Sequence, residues 1–203
     1  MNLAVIFPGI GYRVDKPLLY YAKELAWESG YEIKEVPYEI ALTGVKGDAS
    51  KMEQAFHSAL MQTEDLLKDV DFAQYDIVLF VSKSLGTAVA VAYASKHELQ
   101  TYNLFFTPVE AIFPLIKQEG VVFHGTKDSW ARTEIVEKAC KEKNLKLYIT
   151  ENANHSMETG DVIKDLENLK TIIVQCREYI EELAKMDLQK FVMEAIVDNI
   201  IQK

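Results

Sequence analysis

The chain has 203 residues, 49% of them hydrophobic, with 22 Lys and Arg against 31 Asp and Glu and a formal net charge of −9. A chain of this length buries about 70% of the surface its unfolded form exposes, so residues 1–203 are read as one domain with a sizeable core. The acidic balance argues against nucleic acid, whose phosphates select basic surfaces, and offers no basic patch for an anionic membrane.

The longest apolar runs, such as Ala88 to Ala94, fall far short of the roughly 20 residues of a membrane span. Met1 to Phe7 lacks the charged start of a signal peptide. No membrane contact and a cytoplasmic location are therefore expected. Cys140 and Cys176 lie in helix-like segments without CxxC spacing or a neighbouring His, so two packed free thiols are expected and no metal site.

In chain order, the first β-type run is Leu3 to Phe7, followed by the loop Pro8-Gly9-Ile10-Gly11. Asp15-Lys16-Pro17 starts a helix in which Leu18, Leu19, Ala22, Leu25 and Ala26 recur at helical spacing until Gly30 closes it. Tyr31 to Val36 is the second strand. Ser50 to Glu53 matches a capping box, and Met52, Ala55, Phe56, Ala59, Leu60, Leu66 and Leu67 follow on one face. Ile77 to Val81 is the third strand, which breaks at "SKSLG" before the small-residue helical stretch "TAVAVAYA". Asn103 to Phe106, Val121 to His124 and Leu145 to Ile149 are three further strands, with part of residues 107–120 expected as a helix and further helices near 131–143 and 161–184. Residues 186–203 read as one more amphipathic helix, with Leu188, Phe191, Val192, Ala195, Ile196 and Ile200 on a face that packs on the body or forms a homodimer contact. Most of the strands are continuous apolar runs, as strands buried on both faces are. The pattern predicts an α/β fold, a three-layer α/β/α sandwich around a mostly parallel sheet of about six strands.

In such a sheet, chemistry gathers in the loops at the carboxyl ends of the strands. Those loops carry Ser84 after the third strand, Asp128 after the fifth and His155 after the sixth. "SKSLG" resembles the GxSxG nucleophile elbow of the α/β-hydrolase family, departing at its first position, where Ser82 replaces a glycine. Gly86 sets the register and makes Ser84 the central residue. "VVFHGTKDSW" resembles the family's strand and acid loop and "ENANHSME" its histidine loop, so the matches in the order Ser, acid, His cover residues 75–160.

The resemblance implies a small, lidless serine hydrolase lacking the first two strands of the fold, with neither cofactor nor metal. It implies Ser84, Asp128 and His155 as catalytic residues. Backbone N–H groups of Leu85 and of Ile10, with Gly9 next in line, are implied as donors to the oxyanion. The first and third strands must then be neighbours. The substrate expected is a small carboxylic ester or thioester, cleaved through an acyl-enzyme intermediate, as an EC 3.1 enzyme would.

Each residue has a plainer use. Ser84 and Asp128 are both placed to cap helices, His155 to be a solvated loop residue, and His124 to pack. His57 and His97 have no serine and acid in suitable loops. Tyr12 and Arg13 follow the first loop and are as suited to the surface as to substrate. Pro108, Val109 and Phe113 are placed either to wall the cleft or to pack under the sheet edge. Two other classes compete: a non-catalytic relative of the hydrolases, and a flavodoxin-like or nucleotide-binding module using Gly9-Ile10-Gly11, though the third glycine of a dinucleotide loop is replaced by Val14.

Overall fold

Six runs rich in β-branched and aromatic residues form the strands β1 (Asn2–Phe7), β2 (Tyr31–Glu35), β3 (Ile77–Lys83), β4 (Tyr102–Phe106), β5 (Glu119–Gly125) and β6 (Lys146–Thr150). Between them lie α1 (Pro17–Glu28), α2 (Ala49–Leu67), α3 (Leu85–Lys96) and α4 (Thr133–Lys143), and α5 (Val162–Ile201) follows the last strand. The computed structural model describes the backbone of residues 1–40, 44–45 and 47–201, and their side chains through residue 189 and at Val192. Among the described residues, no helix is long and apolar enough to cross a membrane.

The strands pair in the order β2-β1-β3-β4-β5-β6, all parallel. Because side chains alternate across a strand, β1 sends Ala4 and Ile6 to one face and Leu3, Val5 and Phe7 to the other. The first face is covered by α1 and α5 through Leu18, Leu19, Ala22, Ile172, Cys176 and Ile180. The second is covered by α2 and α3 through Ala55, Ala59, Leu85, Val89 and Ala90, and further along by α4 through Val136 and Cys140. This is the expected three-layer sandwich. Every residue of β3 is buried, Lys83 included.

The register brings the carboxyl ends together: Phe7 pairs with Ser82, Lys83 with Phe106, and Gly125 with Thr150. The loops after β1, β3, β4, β5 and β6 therefore share one edge of the sheet, and β1 lies beside β3 as the resemblance required.

Several local expectations are corrected. The cap of α2 is Asp48, whose carboxylate accepts from the Lys51 N–H at 3.0 Å, so Ser50 sits inside the first turn and the capping box is not formed. An anionic acceptor is also favoured at a helix N-terminus by the helix dipole. Between β4 and β5, residues 107–118 hold a six-residue 3₁₀ turn, Glu110–Leu115, in place of an α-helix. Pro114 lies inside that turn and removes a backbone donor. Ile112 and Phe113 are buried in the layer with α4, so Phe113 packs and does not wall a cleft. The helices expected at 161–184 and 186–203 are one continuous helix, α5, since no Gly or Pro interrupts 162–201. Of the apolar face expected to pack, Leu188 and Val192 are exposed, while the side chains of Phe191, Ala195, Ile196 and Ile200 lie outside the described residues.

Candidate active site

The chain leaves β3 and enters α3 through Ser84 alone. Its backbone, at φ 54 and ψ −120, is a conformation that costs a serine about 1–3 kcal/mol. The turn is tied to the sheet by the Ser84 N–H, which donates to the Phe106 carbonyl at 3.0 Å. Gly86 is obligatory here: a Cβ at that position would stand 2.4 Å from the carbonyl oxygens of both Phe7 and Pro8. Helix α3 thus lies directly against the end of β1. Ser82, at the elbow's first position, is fully buried, with its hydroxyl donating to the Leu104 carbonyl at 3.4 Å.

Ser84 occupies the N-cap position of α3, yet its side chain makes no capping bond. Its Oγ lies 2.7 Å from His155 Nε2 instead. His155 Nδ1 in turn lies 2.8 Å and 3.0 Å from the two carboxylate oxygens of Asp128. Asp128 is not the cap of α4, which begins at Thr133; its Oδ1 also accepts from the Trp130 N–H at 2.8 Å. The Asp128 side chain is wholly buried, whereas that of His155 keeps 20% of its exposure. The Trp130 ring stacks on the His155 ring, with centroids 5.3 Å apart and 24° between planes.

The acid and histidine loops are laced together. Lys127 N–H donates to the Ala153 carbonyl at 2.8 Å, and the Thr126 hydroxyl accepts from Asn152 N–H at 2.8 Å. Asn154 closes the histidine loop by accepting from Ser156 N–H at 2.7 Å and Glu158 N–H at 3.2 Å. From the β3 side, Lys83 Nζ donates to the Thr107 hydroxyl at 2.5 Å and to the His155 carbonyl at 2.7 Å.

After β1, Gly9 and Tyr12 exchange backbone hydrogen bonds of 3.0 and 3.2 Å across a tight turn with Ile10 at its corner. Gly9 therefore spends its N–H inside the turn, which removes it as an oxyanion donor. Its own role is close approach, since a Cβ there would lie 3.0 Å from the Lys83 carbonyl and 3.1 Å from Ser84 Cβ. The Ile10 N–H stays outside the turn's own pair of bonds. Leu85 opens α3, so its N–H is among those that a helix leaves without an intrahelical acceptor. The buried Tyr38 hydroxyl donates to the Pro8 carbonyl and steadies this loop. A cavity of about 650 Å³ adjoins the turn, lined by Gly9, Ile10, Val14, Tyr38 and Ile40 with Arg13, Asp15 and Glu39.

The other singled-out residues lie apart. His124 is fully buried, with Nε2 2.9 Å from the Thr133 hydroxyl, and burial lowers its pKa. His57 is on the exposed side of α2, and His97 Nε2 lies 2.9 Å from Glu64. Arg13 pairs with Asp15 at the surface. Tyr12 is partly buried, its hydroxyl accepting from Leu18 N–H at 3.2 Å. Both cysteines are free and buried, and burial pushes the Cys140 thiol up to about 12. Among the described residues, no group of three or more His, Cys, Asp or Glu is placed to hold a metal ion.

Sequence reasoning missed Lys83, Thr107 and Trp130. Lys83 falls in the break after the expected strand Ile77–Val81, and its burial emerges only because β3 runs on through Ser82 and Lys83. Thr107 and Trp130 carry no sequence signal, because their contacts arise only when loops distant in sequence meet.

No protein-family model and no curated protein sequence matches the chain. Solved structures do. Est1E from Butyrivibrio proteoclasticus with ferulic acid bound is similar at TM-score 0.66 and 14% identity, covering 90% of this chain and 89% of that one. An α/β serine hydrolase without a lid from Xanthomonas campestris gives TM-score 0.57 at 14% identity, covering 86% and 81%. An esterase from Pyrococcus furiosus gives 0.58 at 15%, covering 93% and 82%. The fold of this chain is the α/β-hydrolase fold.

Proposed function

We propose that this protein is a cytoplasmic serine hydrolase that cleaves a small carboxylic ester or thioester through an acyl-enzyme intermediate on Ser84. The observation that carries the reading is the unbroken relay from Ser84 Oγ through both ring nitrogens of His155 to Asp128, at 2.7 and 2.8 Å. A serine hydroxyl is a weak nucleophile at neutral pH and needs a base in contact. His155 Nε2 takes the proton as Oγ bonds to the substrate carbonyl carbon, and Asp128 holds the tautomer and stabilises the imidazolium. Collapse of the tetrahedral intermediate breaks the bond to the alcohol or thiol, which leaves with the proton from His155. Water, deprotonated by His155, then attacks the acyl carbon, and collapse of this second tetrahedral intermediate breaks the bond to Ser84 Oγ, which takes the proton from His155 as the acid leaves.

Negative charge builds on the carbonyl oxygen, and the N–H groups of Leu85 and Ile10 are the proposed donors. Each such donor lowers a comparable barrier by roughly 3 kcal/mol. The unusual backbone of Ser84 fits this chemistry, since it turns a helix-capping position into one whose hydroxyl meets a base. The partner expected is a small molecule, and no step calls for a cofactor.

The test is covalent labelling. A fluorophosphonate is expected to modify the folded protein at Ser84, located by peptide mapping. Ser84→Ala is expected to abolish both labelling and turnover of p-nitrophenyl acetate while leaving the circular dichroism spectrum unchanged. An adduct on Ser82 would remove Ser84 as nucleophile, and a folded native protein that takes no label would favour a non-catalytic relative.

A further inference from the structure

Lys83 is 1% exposed, a buried amine for which the reaction above has no use. Burying an ammonium costs several kcal/mol unless its surroundings compensate, and an apolar side chain in a strand interior carries no such cost. Here the surroundings are arranged in detail. Nζ donates to Thr107 Oγ1 and to the His155 carbonyl, and it stands 5.0 Å from the centroid of the Tyr12 ring, within cation–π range. Thr107 Oγ1, having accepted from Lys83, donates its own proton to the same His155 carbonyl at 3.1 Å.

Thr107 sits at φ 43, in the left-handed region that a β-branched residue rarely enters. It is held there in part by its N–H, which donates to the Phe123 carbonyl at 2.8 Å. Two local costs, a buried amine and a strained threonine, thus converge on one carbonyl oxygen, that of His155.

We propose that Lys83 and Thr107 are positioning residues that together clamp the main chain at His155, so that Lys83 sets both partners of the Ser84–His155 hydrogen bond. Lys83 is bonded covalently to Ser84 on one side and through hydrogen bonds to His155 on the other. The distance between nucleophile and base then depends on Lys83 and Thr107 as well as on the bonds within the loop between β6 and α5. The kinetic consequences rest on the hydrolase reading; the geometric ones do not.

The experiment compares crystal structures and ester kinetics of Lys83→Met, Thr107→Val and Thr107→Ser with the native protein. In Lys83→Met and Thr107→Val, the distance from Ser84 Oγ to His155 Nε2 is expected to open beyond about 3.5 Å, outside hydrogen-bond range. Thr107→Ser keeps the hydroxyl and is expected to keep the contact. On p-nitrophenyl acetate, kcat should fall roughly 10- to 100-fold in the first two variants, as displaced catalytic groups do. KM should change less than about threefold and Thr107→Ser should restore kcat, a split that general loosening of the fold would not produce. Thr107→Val decides the matter if Lys83→Met does not fold. An unchanged distance in Thr107→Val overturns the clamp whatever the rate does. A native protein that turns over no ester overturns the hydrolase reading, while the distances still decide the clamp.

Discussion

Asp128 and Lys83 are buried titratable side chains on either side of the Ser84–His155 pair, and they answer to different perturbations. Asp128→Asn leaves the shape of the site but puts an amide where His155 Nδ1 now meets a carboxylate, favouring the wrong tautomer. In the worked serine-protease example that change costs roughly 10⁴ in kcat, and a loss of at least about 10³ in p-nitrophenyl acetate turnover is expected here. An Asp128→Asn variant of native rate would place the acid elsewhere. For Lys83, burial is the largest influence and lowers its pKa from 10.5 to about 7, partly opposed by the charges of Asp128 from the β5 loop and Glu158 from the loop before α5, with neutral Tyr12 on its remaining side. Between about pH 7 and 10.5 the unfolded chain binds a proton at Lys83 that the folded chain does not. Stability therefore rises with pH across that window. Urea unfolding of native protein and Lys83→Met at pH 7, 8.5 and 10 should show the native free energy climbing relative to the variant by up to a few kcal/mol. Parallel pH dependences would show that Lys83 does not titrate in this range.

At the scale of elements, the site depends on how closely α3 approaches β1. Gly86 lies in the first turn of α3 with backbone oxygens of Phe7 and Pro8 where a Cβ would go, and backbone cannot rotate aside as a side chain does. Gly86→Ala forces the helix off the sheet. Overpacking of this kind costs about 1–3 kcal/mol, which in a chain of this size lowers Tm by roughly 2–12 °C. Because the same shift separates Leu85 from the Ile10 turn, ester turnover should fall even at temperatures where the variant is folded. Calorimetry with kinetics at 20 °C checks both, and a variant as stable and active as the native protein would show that the approach is loose. The elbow was legible in the sequence because its spacing is local. The two-residue shift of the α2 cap to Asp48 was not, since a serine and an aspartate two apart are both good caps. Nor was the continuity of α5, because an amphipathic face read in two pieces does not reveal whether the backbone breaks between them.

At the scale of the whole molecule, substrate size follows from what covers the cleft. The connection from Thr107 to Gly120 is spent on a short 3₁₀ turn whose Ile112 and Phe113 are buried in the core, so it supplies no lid. The cavity beside the Ile10 turn is lined by apolar Ile10, Val14 and Ile40 and also by Arg13, Asp15 and Glu39. On the proposed reading the acyl chain would enter here, where each methylene buried against the apolar lining would contribute about 0.8 kcal/mol at best. With three charged residues among its lining, the cavity would give a longer chain little further apolar contact. Across p-nitrophenyl esters from acetate to palmitate, kcat/KM is expected to peak at short chains. A steady rise to the longest would reveal an acyl tunnel.

The sequence by itself determined the alternation of strands and helices, the burial of the sheet on both faces, and the loops in which Ser84, Asp128 and His155 lie. All of these follow from hydrophobic periodicity and turn chemistry that act within a few residues. Tertiary structure alone decided the rest. Gly9 spends its N–H inside its own turn, Lys83 and Thr107 meet at the His155 carbonyl, and Trp130 lies on the His155 ring. These contacts join residues from different strand ends, and parallel pairing in register is what brings those ends together; no local pattern of residues carries that information.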